Sequence, residues 1–511
     1  MLQINNLTLT HIKDLNNLTE GFNLTLNKGD KAVIIGEEGN GKSTLLKWIY
    51  DPSLIDDYIE YQGSISFKDE TLGYLMQELP KNITNQTIYE YFCDNEVFFD
   101  MSLNELKEMA SNFGFDSDIY YSDQIISSLS GGEKIKIQLM NILVKKPSIL
   151  LLDEPSNDID IETLEFLEDL INDFYGIVLY ISHDETLIEN TANKIIHLER
   201  IIRKTKPKYT VVSMKYHDYM TSRNLLIERQ NQKAASDLRE KKIRDEKYNR
   251  VYQSVNHALK TVSRQDPATA KNLKDKMHSV KSMSKRFERE DAMMTKSVEV
   301  EEAINFKLDI ANEIKEGKTV IDYSLDNLYT DDGKLLASNI YLNVKGPQKL
   351  TIIGKNGVGK TTLIKDIYKK LKDRPDLNIE YMPQNYLESL DENISAINYL
   401  NPVTKDDKTR VMTYLGALKF TIDEMNNPIR NLSGGQKAKL FLIKISLSEA
   451  NLLILDEPTR NFSPLSQPVI REMLKGFKGA IISISHDRKY INEVSDVVME
   501  LKKDGLFLIN N

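Results

Sequence analysis

Lys31-Ala-Val-Ile-Ile-Gly36-Glu37-Glu38-Gly39-Asn40-Gly41-Lys42-Ser43-Thr44 decides the fold, because Lys349-Leu-Thr-Ile-Ile-Gly354-Lys355-Asn356-Gly357-Val358-Gly359-Lys360-Thr361-Thr362 repeats it in the second half of the chain. Each is a short apolar run with the character of a buried strand, followed by a glycine-rich loop and an amphipathic stretch. Both loops fit G-x-x-x-x-G-K-[ST]. Glycines at these places let backbone N–H groups curl round a β-phosphate, and the next helix adds the positive potential of its N-terminus. The lysine meets the outer phosphate oxygens and the hydroxyl holds Mg²⁺. A duplicated strand, loop and helix predicts an α/β chain with two nucleotide-binding halves.

Outward from each loop the same order recurs. A glutamine in a turn-like setting comes first, Gln77 and Gln384. Next are Leu129-Ser130-Gly131-Gly132-Glu133 and Leu432-Ser433-Gly434-Gly435-Gln436, each opening an amphipathic helix. Apolar strands then end in Asp153-Glu154-Pro155 and Asp456-Glu457-Pro458, and the strands after them end in Ser182-His183-Asp184 and Ser485-His486-Asp487. A lone histidine at a strand end is usually a structural cap; its fixed place in a duplicated series makes it a site candidate. Paired carboxylates suit phosphoryl transfer, which needs a metal-holding group and a neighbour that orients water.

Between the halves, residues 218–262 hold neither Pro nor Gly, and Tyr248, Tyr252, Val255, Leu259 and Val262 follow the 4-3-4-3 spacing of a helix seam. Asp266 and Pro267 read as an N-cap and first helical position, with Leu273, Met277, Val280 and Phe287 forming a second seam. The two predict an antiparallel hairpin; a first helix of roughly 65 Å would project beyond a small domain. Residues 215–291 carry 19 Lys and Arg against 11 Asp and Glu, a local +8 that leaves −17 on the rest of a chain whose net charge is −9. The bases crowd the distal half, at Lys241, Lys242, Arg244, Lys247, Arg250, Lys260, Arg264, Lys271, Lys274 and Lys276, with Tyr248, Tyr252 and His257 among them. Phosphate contact with stacking is expected of this arm, a solvated helix face being the plainer alternative.

Composition sets the outer limits. With 511 residues, 41% of them apolar, the chain has enough for packed cores in three or four domains at about 150 residues each. The longest apolar runs fall far short of the ~18 residues that cross a bilayer, so a cytoplasmic location is expected. The single cysteine, Cys93, offers neither an internal disulfide nor a zinc cluster.

The ordered series resembles the nucleotide-binding domain of ATP-binding cassette proteins, in both halves. The resemblance implies two tandem ABC-type P-loop ATPase domains, residues 1–214 and 299–511, joined by a helical hairpin linker over 215–298 with its tip at about 255–270. It implies ATP and Mg²⁺ as cofactors. Ser43, Thr361, Asp153, Asp456, Gln77 and Gln384 would serve the metal; Glu154 and Glu457 would polarise the attacking water; His183 and His486 would sense the γ-phosphate. Head-to-tail closure within one monomer would lay Ser433, Gly434 and Gly435 over ATP on Lys42, and Ser130, Gly131 and Gly132 over ATP on Lys360. His11 and Tyr329, each 25 residues before its loop, stand where the family often stacks adenine. The second half has Ser463 where the family's D-loop aspartate is met by Asp160 in the first, so unequal sites are expected, with slower hydrolysis around Lys42.

Two cassettes fused through a basic hairpin without membrane spans resemble the ABC-F class of translation factors. Thr459-Arg460-Asn461-Phe462-Ser463-Pro464 is similar to resistance proteins of the Vga, Lsa and Sal type. Only 52 positions separate Gln77 from Leu129, leaving no sizeable arm insertion, and the 25 residues after His486 leave no room for a coiled coil. That likeness implies entry into the tRNA exit site of a bacterial ribosome. There the hairpin would approach P-site tRNA and 23S rRNA near the peptidyl-transferase centre, displacing pleuromutilin, lincosamide or streptogramin A drugs. The alternatives are a housekeeping ABC-F factor that relieves stalls, a transporter ATPase subunit, and a DNA-repair ATPase; neither a membrane nor a DNA partner is expected.

Overall fold

Five consecutive buried residues in Lys31–Ile35, Ile149–Asp153 and Ile177–Ile181 leave no polar face for water, so these segments become inner strands covered on both sides. The computed structural model describes residues 1–67, 70–201, 206–261, 267–298, 308, 314–330, 332–403 and 407–509. Across the first half's main sheet the order is Leu72–Leu75, Ile149–Asp153, Ile177–Ile181, Lys31–Ile35, Lys194–Ile201 and Lys206–Val212, parallel except for the last pair. The second half repeats it with Ile379–Met382, Leu452–Asp456, Ala480–Ile484, Lys349–Ile353, Val497–Lys502 and Gly505–Ile509. Both glycine loops therefore leave the C-terminal end of a strand flanked on both sides, where open α/β sheets place their ligands.

A smaller antiparallel sheet accompanies each main sheet: Asn17–Leu26, Leu2–His11 and Ile59–Ser66 in the first half, Thr319–Tyr329 with Leu335–Lys345 in the second. The helices after the loops, Lys42–Tyr50 and Lys360–Leu371, bury Leu45, Leu46, Trp48 and Ile49 or Leu363, Ile364 and Ile367 in cores shared by both sheets. That burial fixes the axis along which each helix points its N-terminus. Met1–Tyr216 and Glu301–Asn511 form one compact unit, and His217–Val300 forms another.

The second unit is a hairpin of a 46-residue helix, Tyr216–Thr261, and a 26-residue helix, Pro267–Ala292. At 1.5 Å per residue the longer spans ~69 Å. Their contacts run in opposite directions: Arg244 reaches Glu290 at 3.3 Å and Asp291 at 2.6 Å, and Tyr248 meets the edge of Phe287 at 5.8 Å. Beyond the second helix, Thr295 N–H donates to Asp237 at 3.0 Å and Val298 N–H to Asn231 at 2.9 Å. Val262, Arg264 and Asp266, and with them the middle of the expected tip, lie outside the described residues.

The hairpin corrects one part of the charge reading. Lys241 and Arg244 are bound by Asp291, Glu290 and Asp245, and Arg244 covers the Phe287 ring at 4.4 Å. Tyr248 and Tyr252 stack on each other at 6.1 Å within the seam. These side chains hold the hairpin together, because the seam needs its aromatic rings and the acids of the returning helix draw the nearest bases. Lys242, Lys247, Arg250, Lys260, Lys271, Lys274 and Lys276 remain exposed.

Candidate functional site

Gly41 and Gly359, at φ 84° and 105°, cap helices Lys42–Tyr50 and Lys360–Leu371 in the left-handed region that only glycine enters without strain. At Gly36 a Cβ would stand 2.2 Å from the Leu198 carbonyl oxygen, so the loop lies directly on the neighbouring strand. Asn40 Nδ2 donates to that same carbonyl at 2.9 Å. Lys42 Nζ donates to the Gly36 and Glu37 carbonyls at 2.8 and 3.1 Å; Lys360 Nζ donates to those of Gly354 and Lys355 at 2.7 and 3.0 Å. Each ammonium thus curls back over its own loop, beside the space that the loop's N–H groups surround.

Ser43 Oγ donates to Asp153 at 2.9 Å, and Tyr74 OH braces the other oxygen at 3.2 Å. Burial pushes the Asp153 and Asp456 carboxyls up to about 6, against the pull of Ser43 and Thr361 respectively. Asp456 Oδ2 is buried with no hydrogen-bond partner among the described residues. A hydroxyl beside a carboxylate at each loop, with one oxygen of the Asp456 carboxylate left unbonded, fits Mg²⁺, which prefers one or two protein oxygens and takes the rest from water and phosphate. No group of three or more His, Cys, Asp or Glu suited to caging a metal occurs among the described residues.

Glu154 and Glu457 sit at φ 51° and 54°, the left-handed region, and their N–H groups are tied to Ile181 and Ile484 carbonyls at 3.1 and 3.0 Å. A non-glycine residue held there in both halves is strain retained at a functional position. The two differ in charge environment. Burial would raise the Glu154 carboxyl, but His183, whose Nε2 lies 2.9 Å away, and Lys42 hold it below its ordinary value. At Glu457 the histidine stands off at 3.8 Å, and burial with Asp456 beside it pushes the carboxyl up to about 8. Burial and Lys360 push His486 down to about 3.

Ser130 and Ser433 cap helices Gly131–Val144 and Gly434–Ser448 through capping boxes with Glu133 and Gln436. Their glycines admit close approach: a Cβ on Gly131 would meet the Asp158 carbonyl oxygen at 2.1 Å. Ser130, Gly131, Asn157, Asp158 and His183 of the first half line one cavity of 510 Å³ together with Lys360, Thr361, Thr362, Gln384, Asp456, Glu457 and His486 of the second. Asn356 Nδ2 donates to the Asp158 carbonyl at 2.6 Å, Arg460 pairs with the Asp158 side chain at 2.7 Å, and Lys355 pairs with Glu162 at 2.8 Å across the halves.

At the opposite junction the two halves touch directly. Glu38 accepts from the N–H of Gly435 at 2.8 Å, and Glu37 pairs with Lys439 at 2.9 Å. The space left among Glu37, Glu38, Ser433, Gly435, Lys439 and Ser463 is about 40 Å³. Asp160 caps helix Ile161–Asp173, accepting from Thr163 N–H at 3.1 Å. Ser463 bonds Ser466 at 3.2 Å, and the corresponding helix Gln467–Lys475 opens a turn later with Pro468 in its first turn. The helix that follows Ser463 is thus shorter than the one Asp160 caps, 9 residues against 13. Among the adenine candidates, His11 bonds Asp14 at 3.1 Å, and Tyr329 is half exposed beside Thr330, which does line the large cavity. Gln77 is exposed and lines neither cavity. Sequence reasoning missed Tyr74, Arg460 and Lys439, whose roles depend on which strands and halves meet.

Two phosphate loops, each faced by the capped glycine helix of the other half and backed by an Asp-Glu pair, define a tandem P-loop ATPase. The family model described as "ABC transporter" matches residues 19–157 and 337–460, more than half of the sequence, and the chain belongs to that family of ATP-binding, ATP-hydrolysing proteins. It is similar to the ATP-binding protein Uup of Escherichia coli K12, 28% identical over 93% of this chain and 76% of that protein. It is also similar to the ribosome protection protein VmlR of Bacillus subtilis 168, 27% identical over 95% of this chain and 84% of that one. Among solved structures, an archaeal ribosome recycling factor, aABCE1, shares the fold with a TM-score of 0.60 at 17% identity, covering 98% of this chain and 89% of that one.

Proposed function

We propose that the chain is an ABC-F ATPase that works on the bacterial ribosome, entering the tRNA exit site to displace pleuromutilin, lincosamide or streptogramin A from the peptidyl-transferase centre. The observation that carries this reading is the 46- and 26-residue helical hairpin set between two cassettes, with its exposed bases. Among the described residues no helix is long and apolar enough to cross a membrane. Similarity to a ribosome protection protein over 95% of the chain supports it further.

In this reading Lys42 and Lys360, with Glu37, Glu38, Gly39, Asn40 and Gly41 or Lys355, Asn356, Gly357, Val358 and Gly359, cradle ATP. Ser43, Thr361, Asp153, Asp456, Gln77 and Gln384 serve Mg²⁺, which neutralises phosphate charge. Glu154 and Glu457 orient water, and His183 and His486 meet the γ-phosphate. ATP and ribosome favour one closed state, so each strengthens the other's binding. A second reading is a housekeeping ABC-F factor that relieves stalls without any drug, for a chain that is also similar to the ATP-binding protein Uup over 93% of its length.

The test is a chain with Glu154→Gln and Glu457→Gln, pelleted with bacterial ribosomes in ATP, alongside wild type added to a translation extract poisoned with a lincosamide or pleuromutilin. Pelleting with rescue is expected. Pelleting without rescue selects the stall-relief reading, and no pelleting removes the ribosome from the account.

A further inference from the structure

From Ser130 to Asp184 the motifs of the first cassette recur 303 positions later, at Ser433 and Asp487, and the helices that follow start at Glu185 and Arg488 with the same offset, so each residue has a definite counterpart. Glu168 corresponds to Arg471, and Glu185 to Arg488. These four residues meet across the cassettes. Arg471 Nη2 pairs with Glu185 at 2.9 Å, with side chains only 3% and 2% exposed, and Arg488 pairs with Glu168. The two contacts are one contact repeated about the pseudo-two-fold axis relating the cassettes, and in both the acid across the junction comes from the first cassette, while Arg471 Nε also pairs with Glu493 of its own cassette at 2.8 Å. Neighbouring pairs keep the same polarity: Arg488 lies 3.5 Å from Asp184, and Lys489 reaches Glu189 at 2.6 Å and Glu185 at 3.1 Å. None of Glu168, Glu185, Arg471 and Lys489 lines the nucleotide cavity.

A buried ion pair adds little to stability, since desolvation offsets attraction; burial pushes the Glu185 carboxyl up even with Arg471 and Lys489 beside it. What such a pair does strongly is penalise the wrong neighbour. Two first cassettes brought together in this geometry would set Glu168 against Glu185 twice. Two second cassettes would set Arg471 against Arg488 twice. We propose that this division of charge is a pairing code on the cassette face, selecting the basic contact face of the second cassette as the partner of the acidic face of the first and rejecting like-with-like pairing between copies of the chain. Of the acids in the code only Asp184 lines the nucleotide cavity, and the code is independent of any ribosomal role.

The full-length chain tests it through steady-state ATP hydrolysis, which requires the cassettes to meet. Glu185→Arg and Arg471→Glu, made singly, are expected to lower the rate at saturating ATP by at least about tenfold, since each places like charges in a dry contact. The double exchange restores opposite charge at that pair but leaves the new arginine beside Lys489 and the new glutamate beside Glu493, so the rate is expected to rise clearly above both singles without reaching wild type. Glu168→Arg with Arg488→Glu repeats the cycle at the more accessible contact, which covers the case in which a change at Glu185 prevents folding. Thermal unfolding of every variant separates loss of pairing from loss of fold. Single variants with undiminished rates, or a folded double exchange at both contacts no faster than its singles, would overturn the proposal.

Discussion

Glu457 concentrates the residue-scale chemistry. Its folded-state carboxyl is raised to about 8 from an ordinary 4.5, so the fold favours the neutral form. Wild-type stability therefore falls as pH rises from the unfolded value near 4.5 toward 8, because ionisation is easier in the unfolded chain. Glu457→Gln has no such loss. In nucleotide-free, Mg²⁺-free protein its melting temperature relative to wild type should climb between pH 5 and pH 8; a constant difference would mean an ionised, well-paired carboxylate. Glu38 gives a second prediction. Its carboxylate holds the Gly435 N–H, at a helix N-terminus that attracts anions in general, so it competes with phosphate for that position. Glu38→Asn should lower the ATP concentration for half-maximal binding at the Lys42 site by several-fold, read by a fluorescent ATP analogue in a Glu154→Gln background. The loops, the carboxylates and the histidines were legible in sequence because their spacing is dictated by one ligand. Glu38 was legible only as a loop residue, since its partner belongs to the other cassette.

At the scale of elements, the hairpin shows what periodicity reveals and what it hides. A seam of Tyr248, Tyr252, Leu273, Met277 and Val280 could be read from spacing alone, because a helix buries the same face every three or four residues. Which bases the seam would consume could not, since Arg244 meets Glu290 and Asp291 only when the helices reach their register. Lys247 and Arg250 are exposed and take no part in the ion pairs that hold Arg244, which makes them better probes of an anionic partner. Replacing both with Ala should weaken ribosome association and reduce the slope of log affinity against log salt by about one for each phosphate no longer neutralised. An unchanged slope would move the binding surface elsewhere on the chain. The shortened helix after Ser463 was likewise invisible as a shape, although the missing aspartate was plain.

At the scale of the whole molecule, repetition makes two cassettes and divergence makes them unequal. The 510 Å³ cavity joins Lys360 and Glu457 to an intact Asp160 loop, whereas the Lys42 side has Ser463 opposite and about 40 Å³ among Glu37, Glu38 and Lys439. Glu457→Gln should therefore reduce steady-state ATP hydrolysis by about 10² or more, the usual weight of a positioned base, while Glu154→Gln should cost less than about tenfold. Equal losses would show that both sites turn over together. The placement of acids on the first cassette's side of these cross-cassette pairs and bases on the second's bears also on synthesis. Ribosomes queued on one messenger expose many first cassettes before any second cassette has emerged. If the pairing code holds, a face carrying Glu168, Asp184, Glu185 and Glu189 would make those unfinished neighbours repel one another, so that each waits for the half still being made on its own chain.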